Sequence, residues 1–192
     1  MGKNITEIRW HARGGQGAVT AAKVLAEMAL SKGLYFQAFP EYGPERMGAP
    51  IQCFNRLSDE PIHMYCGVTS PQLVVVVDPS LCDVVDFKAG LIEAGSIIIN
   101  TGECPATVTE KYGLYGYKVA TVDATRISME KLGRSMPNIP MLGSLLKVSG
   151  LLTEEEALEF IQESFGHKFS DKVVRGNLEA LKTAFEEVQI GE

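Results

Sequence analysis

Three glycines in four residues, Gly14-Gly15-Gln16-Gly17, are the feature of this 192-residue sequence that most directly suggests chemistry. They fall where a strand-like segment, Glu7 to Ala12, hands over to a helical pattern beginning at Ala18. Glycine there lets the backbone turn tightly and approach a ligand closely. The free N–H groups and positive dipole end of the following helix then favour an anion, such as a phosphate, pyrophosphate or carboxylate. Two familiar phosphate loops come close and neither is met. Gly15-x-Gly17-x-x-Thr20 lacks the third glycine of the dinucleotide fingerprint, although Glu41 could stand in for its ribose-binding acid. A P-loop needs Gly-Lys-Ser/Thr, and here Gly17 is followed by Ala18-Val19. The glycine loop by itself leaves a phosphate cradle and a purely structural turn both open.

A second candidate is the run Phe39 to Pro50, stiffened by Pro40, Pro44 and Pro50 and charged by Glu41, Glu45 and Arg46. It follows the second strand, so it should emerge on the same sheet edge as the glycine loop, where open α/β sheets bind ligands. An ordinary surface loop with a local Glu–Arg pair would look the same. His11 ends the first strand beside the glycines and invites the role of general base, but a packing or loop-bonding histidine is the reading adopted. His63 and His167 read as surface groups. Asp78, followed by Pro79, reads as the cap of the next turn, and Glu154-Glu155-Glu156 as a helix N-terminus favoured by its dipole. Met47, Met64 and Met141 fit a subunit interface and core packing equally well.

The elements that must hold these residues alternate between strand and helix. Strands are expected at Glu7–Ala12, Tyr35–Phe39, Leu73–Asp78, Ser96–Asn100 and Lys118–Asp123, and a hairpin joins Ile51–Leu57 to Pro61–Tyr65 through Ser58-Asp59-Glu60. Leu73-Val74-Val75-Val76-Val77 is an unbroken apolar run, as expected of a central parallel strand covered on both faces. Helices are expected at Ala18–Lys32, capped near Gly33, and at Leu81–Leu91, Ala124–Leu132, Met141–Val148 and Asp171–Val188. A further one runs to about Phe165 from the capping box of Thr153 and Glu156. The fold class that follows is α/β: a single domain over residues 1–192, an open, mostly parallel Rossmann-like sheet with flanking helices, a β-hairpin insertion and a helical C-terminal part.

The composition narrows the function classes. At 45% hydrophobic the chain can bury a sizeable core, and its formal net charge of −6 argues against a general nucleic-acid binder. No stretch approaches the roughly 18 apolar residues of a membrane helix, and the start carries no apolar signal region, so a cytoplasmic location is expected. Cys53, Cys66, Cys82 and Cys104 form no CxxC pair, so no metal centre and no iron–sulfur cluster is expected in this chain.

Several motifs taken together carry a family resemblance over nearly the whole chain. The stretch Gly14 to Ala22, the stretch Gln37 to Pro50, Asp59-Glu60-Pro61-Ile62, the Val74 to Pro79 run ending in Asp78-Pro79, and Asn138-Ile139-Pro140-Met141-Leu142-Gly143 occur in order. The sequence resembles the gamma subunit of pyruvate and related 2-oxoacid:ferredoxin oxidoreductases. It departs where Met47 follows Arg46, a place at which the family often has a second basic residue.

The resemblance implies a hetero-oligomeric complex that converts pyruvate and coenzyme A to acetyl-CoA and CO2 while reducing ferredoxin. Partner subunits are implied to carry thiamine diphosphate, the 2-oxoacid site and the iron–sulfur clusters, and this chain is not expected to be catalytic alone. No nucleic acid and no membrane enter. Within that frame Gly14, Gly15, Gln16 and Gly17, with Arg46 and Arg13, are expected to cradle the phosphates of coenzyme A, and Asn100, Thr101 and Asn138 to complete the wall. Two other readings stand beside this one: a stand-alone NAD(P)- or flavin-binding oxidoreductase domain, and a purely structural partner subunit.

Overall fold

The computed structural model describes residues 5–41 and 48–191. Seven strands form one open sheet in the order β2-β3-β1-β4-β5-β6-β7. These are β1 (Ile5–Arg13), β2 (Tyr35–Glu41), β3 (Pro50–Ser58), β4 (Leu73–Val76), β5 (Ser96–Asn100), β6 (Lys118–Val122) and the short β7 (Gln189–Ile190). The centre is parallel, β1 with β4, β4 with β5 and β5 with β6, while β2 and β3 add an antiparallel edge and β7 closes the other. This is the open α/β sheet that the apolar strands of the sequence demanded. Side-chain alternation explains their continuity. Leu73, Val75 and Ile98 pack into one core, and Val74, Val76, Ile97 and Ile99 into another on the opposite face. Removing each such side chain from water is worth roughly 1.5–3 kcal/mol, so these seven positions cannot be polar cheaply.

Helices cover the two faces unequally. On the larger core lie α1 (Ala18–Ser31), α3 (Ala124–Leu132), α4 (Asn138–Ser149), α5 (Glu154–Gly166) and α6 (Asp171–Glu187). The other face is covered by α2 (Pro105–Tyr112) and by the segment around Phe87 and Leu91. The capping box forms as the sequence implied: Thr153 accepts from the Glu156 N–H, and the Glu156 carboxylate accepts from the Thr153 N–H at 2.9 Å. Gly33 follows α1 with φ +75°, and the Leu34 N–H returns to the Ala29 carbonyl.

Two local expectations are corrected. The hairpin exists, but its arms are β2 and β3; residues 61–65 form no strand. Both edges of β3 are already taken, one by β2 and the other by β1 along its whole length from Ile5↔Ser58 to Arg13↔Pro50. No ladder position remains for a further arm, and Pro61 lacks a donor. The helix expected over 81–91 is a 3₁₀ turn, Pro79–Asp83, followed by turns. The carbonyls of Phe87 and Ala89 face the buried Arg9 guanidinium, accepting at 2.9 and 2.6 Å, and so are lost to helical pairing. The helix α2 and the strand β7 were not anticipated.

Candidate functional site

The glycine loop lies at the carboxyl end of β1, on the boundary where the chain crosses from the β3–β2 side of the sheet to the β4–β5 side. Open α/β sheets form their ligand crevice at such a switch point. Gly15 has φ +98° and Gly17 φ +78°, conformations that side-chain-bearing residues rarely adopt. Gly17 is also the N-cap of α1, so no side chain satisfies the first N–H groups of that helix. A Cβ on Gly17 would stand 2.8 Å from Asn138 Nδ2 and 2.9 Å from its Cγ. Glycine is therefore required twice at this position, by dihedral and by contact.

Asn138 is the first residue of α4, so Gly17 brings the N-termini of two helices together. Neither first turn contains an acid, and neither N-cap side chain caps its helix. Asn138 is 4% exposed, and its Oδ1 has no hydrogen-bond partner among the described residues. A buried unpaired oxygen costs roughly 1–3 kcal/mol unless a donor reaches it, and two positive dipole ends with no acid in either first turn are unfavourable neighbours. Such an arrangement can receive an anion on its uncapped N–H groups and a hydrogen-bond donor on the Asn138 oxygen.

Asp78, at the end of β4, braces the loop from the other side. Its Oδ2 accepts from Gln16 Nε2 at 2.6 Å and lies 3.4 Å from Arg13 Nε; its Oδ1 accepts from the Ser80 N–H at 2.9 Å and the Ser80 hydroxyl at 2.6 Å. Burial works to raise the Asp78 pKa, but the bonds from Ser80 and Gln16 and the charge of Arg13 outweigh it and hold the carboxyl below its ordinary value. Gln16 closes the circuit, its Oε1 accepting from the Arg13 N–H at 2.8 Å. Arg13 also donates to the Ser80 hydroxyl at 3.0 Å and the Gly48 carbonyl at 3.1 Å, and the Gly14 N–H donates to the Ala49 carbonyl. The end of the Phe39–Pro50 loop thus sits against the glycine loop, as the strand order requires. Asp78 caps the 3₁₀ turn as expected. Its second task, aligning Gln16 and Arg13, was missed, and the only sequence signal was an acid ending the strand that pairs with β1.

Of the residues singled out in sequence, the structure gathers Arg13, Gly14, Gly15, Gln16, Gly17 and Asn138. Asn100 and Thr101 end β5, with β4 between them and β1, roughly 10 Å across the sheet. Asn100 is buried, and its amide is spent: Nδ2 donates to the Val77 carbonyl and the Thr125 hydroxyl, and Oδ1 accepts from the Thr125 N–H. It ties strand ends together. Thr101 accepts from the Glu103 N–H. Arg46 lies outside the described residues. Glu41 ends β2, and β3 intervenes between β2 and β1, so it cannot take the place of a ribose-binding acid, which belongs on a strand adjoining the first. His11 is 2% exposed and accepts from Arg9 Nε at 3.0 Å. Burial first, then the Arg9 charge, push its pKa down to about 4, against a weaker bond to the Phe87 backbone. It is a neutral packing residue.

The geometry is that of an open, centre-parallel α/β sheet with a glycine-lined, uncapped crevice at its switch point, and no His, Cys, Asp or Glu group suited to a metal occurs among the described residues. The chain belongs to the pyruvate ferredoxin/flavodoxin oxidoreductase family, whose model matches residues 7–187. It is 44% identical over 192 residues to the pyruvate synthase subunit PorC of Thermotoga maritima, covering 100% of this chain and 99% of that one. It is also 44% identical over 186 residues to the pyruvate/ketoisovalerate oxidoreductases common subunit gamma of Thermococcus litoralis, covering 97% and 98%. The crystal structure of the Thermotoga maritima pyruvate oxidoreductase subunit superposes with a TM-score of 0.86 at 41% identity, over 100% of both chains. No helix among the described residues is long and apolar enough to cross a membrane.

Proposed function

We propose that this chain is the gamma subunit of a pyruvate:ferredoxin oxidoreductase, a hetero-oligomer that makes acetyl-CoA and CO2 from pyruvate and coenzyme A while reducing ferredoxin. Similarity over the full length to a pyruvate synthase subunit supports the reading. The common gamma subunit of the Thermococcus relative, shared by pyruvate and ketoisovalerate oxidoreductases, supports placing the choice of 2-oxoacid in another chain. Thiamine diphosphate and the iron–sulfur clusters belong to partner subunits, which break the carbon–carbon bond and carry the electrons. The four free thiols suit a reducing, cytoplasmic setting.

The chain's own contribution is to hold coenzyme A by its phosphates at the junction of α1 and α4. The observation that carries this is the meeting of two acid-free, uncapped helix N-termini at Gly17 and Asn138, whose N–H groups suit phosphate oxygens; the unpaired Asn138 oxygen, an acceptor, suits a donor group of the same ligand. Backbone N–H groups of the loop and first turn of α1 would face the anion. Arg13 and Gln16, fixed by Asp78, set the shape of the loop, and Arg46 supplies a further cation. These residues bind and orient; the bonds change elsewhere.

The test is purification of the complex through a tag on this chain, with pyruvate- and coenzyme A-dependent reduction of a viologen dye as the readout. Co-elution of that activity is expected, and a chain that elutes alone refutes the subunit assignment. In the same complex Arg46→Ala should raise KM for coenzyme A about tenfold, the loss of one charge-assisted bond, while CO2 release from pyruvate is spared. An unchanged KM removes coenzyme A from this crevice without touching the subunit assignment.

A further inference from the structure

Away from the glycine loop, the outer surface of α6 carries an uncompensated positive groove. Between the end of α3 and the start of α6 lies a depression of about 560 Å³ whose walls include Lys131, Arg134 and Lys172. A second, of about 280 Å³, shares Lys131 and Lys172 with it and adds Arg175. None of these four cations makes an ion pair among the described residues. Of the two carboxylates on the walls, Glu130 is already held by Arg126 at 3.0 Å, which leaves only Glu179. The concentration is notable in a chain with a formal net charge of −6. The helix dipole accounts for Lys131, in the last turn of α3, but not for Lys172, which stands in the first turn of α6, where a cation is disfavoured.

The groove continues into a different chemistry. Glu179 is shared with a third depression, about 360 Å³, lying between α5 and α6 and walled by Leu158 and Leu178. A small phosphate compound would be enclosed by a concave pocket with a few convergent donors. This surface is elongated and open, with exposed cations at one end and an apolar trough at the other, which is how a protein interface is built.

We propose that this face of α6, with the shoulders of α3 and α5, docks a partner chain of the complex that presents carboxylates beside apolar side chains. Lys131, Arg134, Lys172 and Arg175 steer and register the acidic part, and Leu158 and Leu178 receive the apolar part. Such charges act chiefly on association rate and salt sensitivity, by about tenfold or more at low ionic strength.

The experiment compares the complex containing the tagged wild-type chain with one containing Lys131→Gln, Arg134→Gln, Lys172→Gln and Arg175→Gln together. Each is washed with increasing sodium chloride, and the retained subunits are quantified by native mass spectrometry. The quadruple variant should release a partner subunit at several-fold lower salt. Lys172→Gln with Arg175→Gln alone, both on the exposed face, should move the profile the same way with an unaltered melting temperature of the free chain. Identical profiles for wild type and both variants overturn the proposal. So does a groove whose variants lose binding of inorganic pyrophosphate or of a labelled oligonucleotide while the complex stays intact, because the occupant would then be an anion and not a partner chain.

Discussion

Replacing Gly17 by alanine tests the geometry of the crevice most sharply, because Gly15 supplies an internal control. Both glycines have positive φ, +78° and +98°, so an alanine at either carries a backbone penalty of about 1–2 kcal/mol. They differ in what the new methyl meets. At Gly15 nothing lies within 4 Å, whereas at Gly17 the methyl would come within 2.8 Å of Asn138 Nδ2, 2.9 Å of Cγ and 3.1 Å of Cβ. Asn138 cannot swing aside freely, being 4% exposed at the start of α4. Accommodating the methyl therefore means shifting α4 against α1, an overpacking cost of about 1–3 kcal/mol. Gly17→Ala should lose about 2–5 kcal/mol in all and Gly15→Ala about 1–2 kcal/mol. Asn138→Ala removes Nδ2 and Cγ, so in that background Gly17→Ala should recover about 1–2 kcal/mol, a coupling measurable by a double-mutant cycle in urea denaturation. Equal costs at the two glycines, together with additive effects of Gly17→Ala and Asn138→Ala, would refute the reasoning that Gly17 is there to let the two helix ends meet.

Two further outcomes follow from buried charge. His11 protonates near 6.5 in the unfolded chain but only near about 4 when folded; between those values the unfolded state binds more protons, so stability falls as pH drops from 6.5 to about 4. That interval is worth about 3 kcal/mol; His11→Gln should flatten this part of the stability profile, and an unchanged slope would contradict the assignment. Arg56 is 1% exposed and donates to Glu7 at 2.7 Å, to Gln37 Oε1 at 3.1 Å and to the Gly67 carbonyl at 3.0 Å. Arg56→Met strands the Glu7 carboxylate and should cost about 3–5 kcal/mol in denaturant melts; the Glu7→Gln partner in the double variant should return part of it.

The parallel centre of the sheet was readable because four-valine and three-isoleucine runs leave few alternatives for β4 and β5. The edges were not. A strand such as β3, with Cys53-Phe54 and Asn55-Arg56 side by side, carries no pattern that tells whether it pairs with the next segment or with the previous one. Only the discovery that β1 occupies its whole second edge decides the matter, and that is a long-range fact. The stretch from Leu81 to Leu91 misled for a related reason: its apolar spacing fits a helix, but two of its carbonyls are claimed by Arg9, a residue some eighty positions earlier. At the site, the glycines announced themselves through dihedral need. Asn138 was reachable through the family motif, yet its contact with Gly17 was not, because nothing in local sequence tells which helix N-terminus will abut which. The bonds of Asn100 to the Val77 carbonyl and to Thr125 were likewise hidden, because an asparagine ending a strand looks the same whether it faces a ligand or ties down neighbouring backbone.

The position of β3 also bears on the dinucleotide-binding reading. In a dinucleotide-binding domain the strand adjoining β1 carries the acid that reads the ribose, and the glycine loop and that acid form one site. Here the antiparallel β3 has been inserted into that place, moving Glu41 to the sheet edge while leaving the glycine loop at the switch point. A strand therefore separates the glycine loop from Glu41, and the stand-alone NAD(P)- or flavin-binding reading loses its ribose-binding acid. The same insertion sends residues 48 and 49 back over the glycine loop, where Gly48 and Ala49 accept from Arg13 and Gly14. The glycine loop is thus braced from two sides, by Gly48 and Ala49 and by Asp78 through Gln16 and Arg13, the rigidity that the proposed role of holding coenzyme A for chemistry on a neighbouring subunit requires.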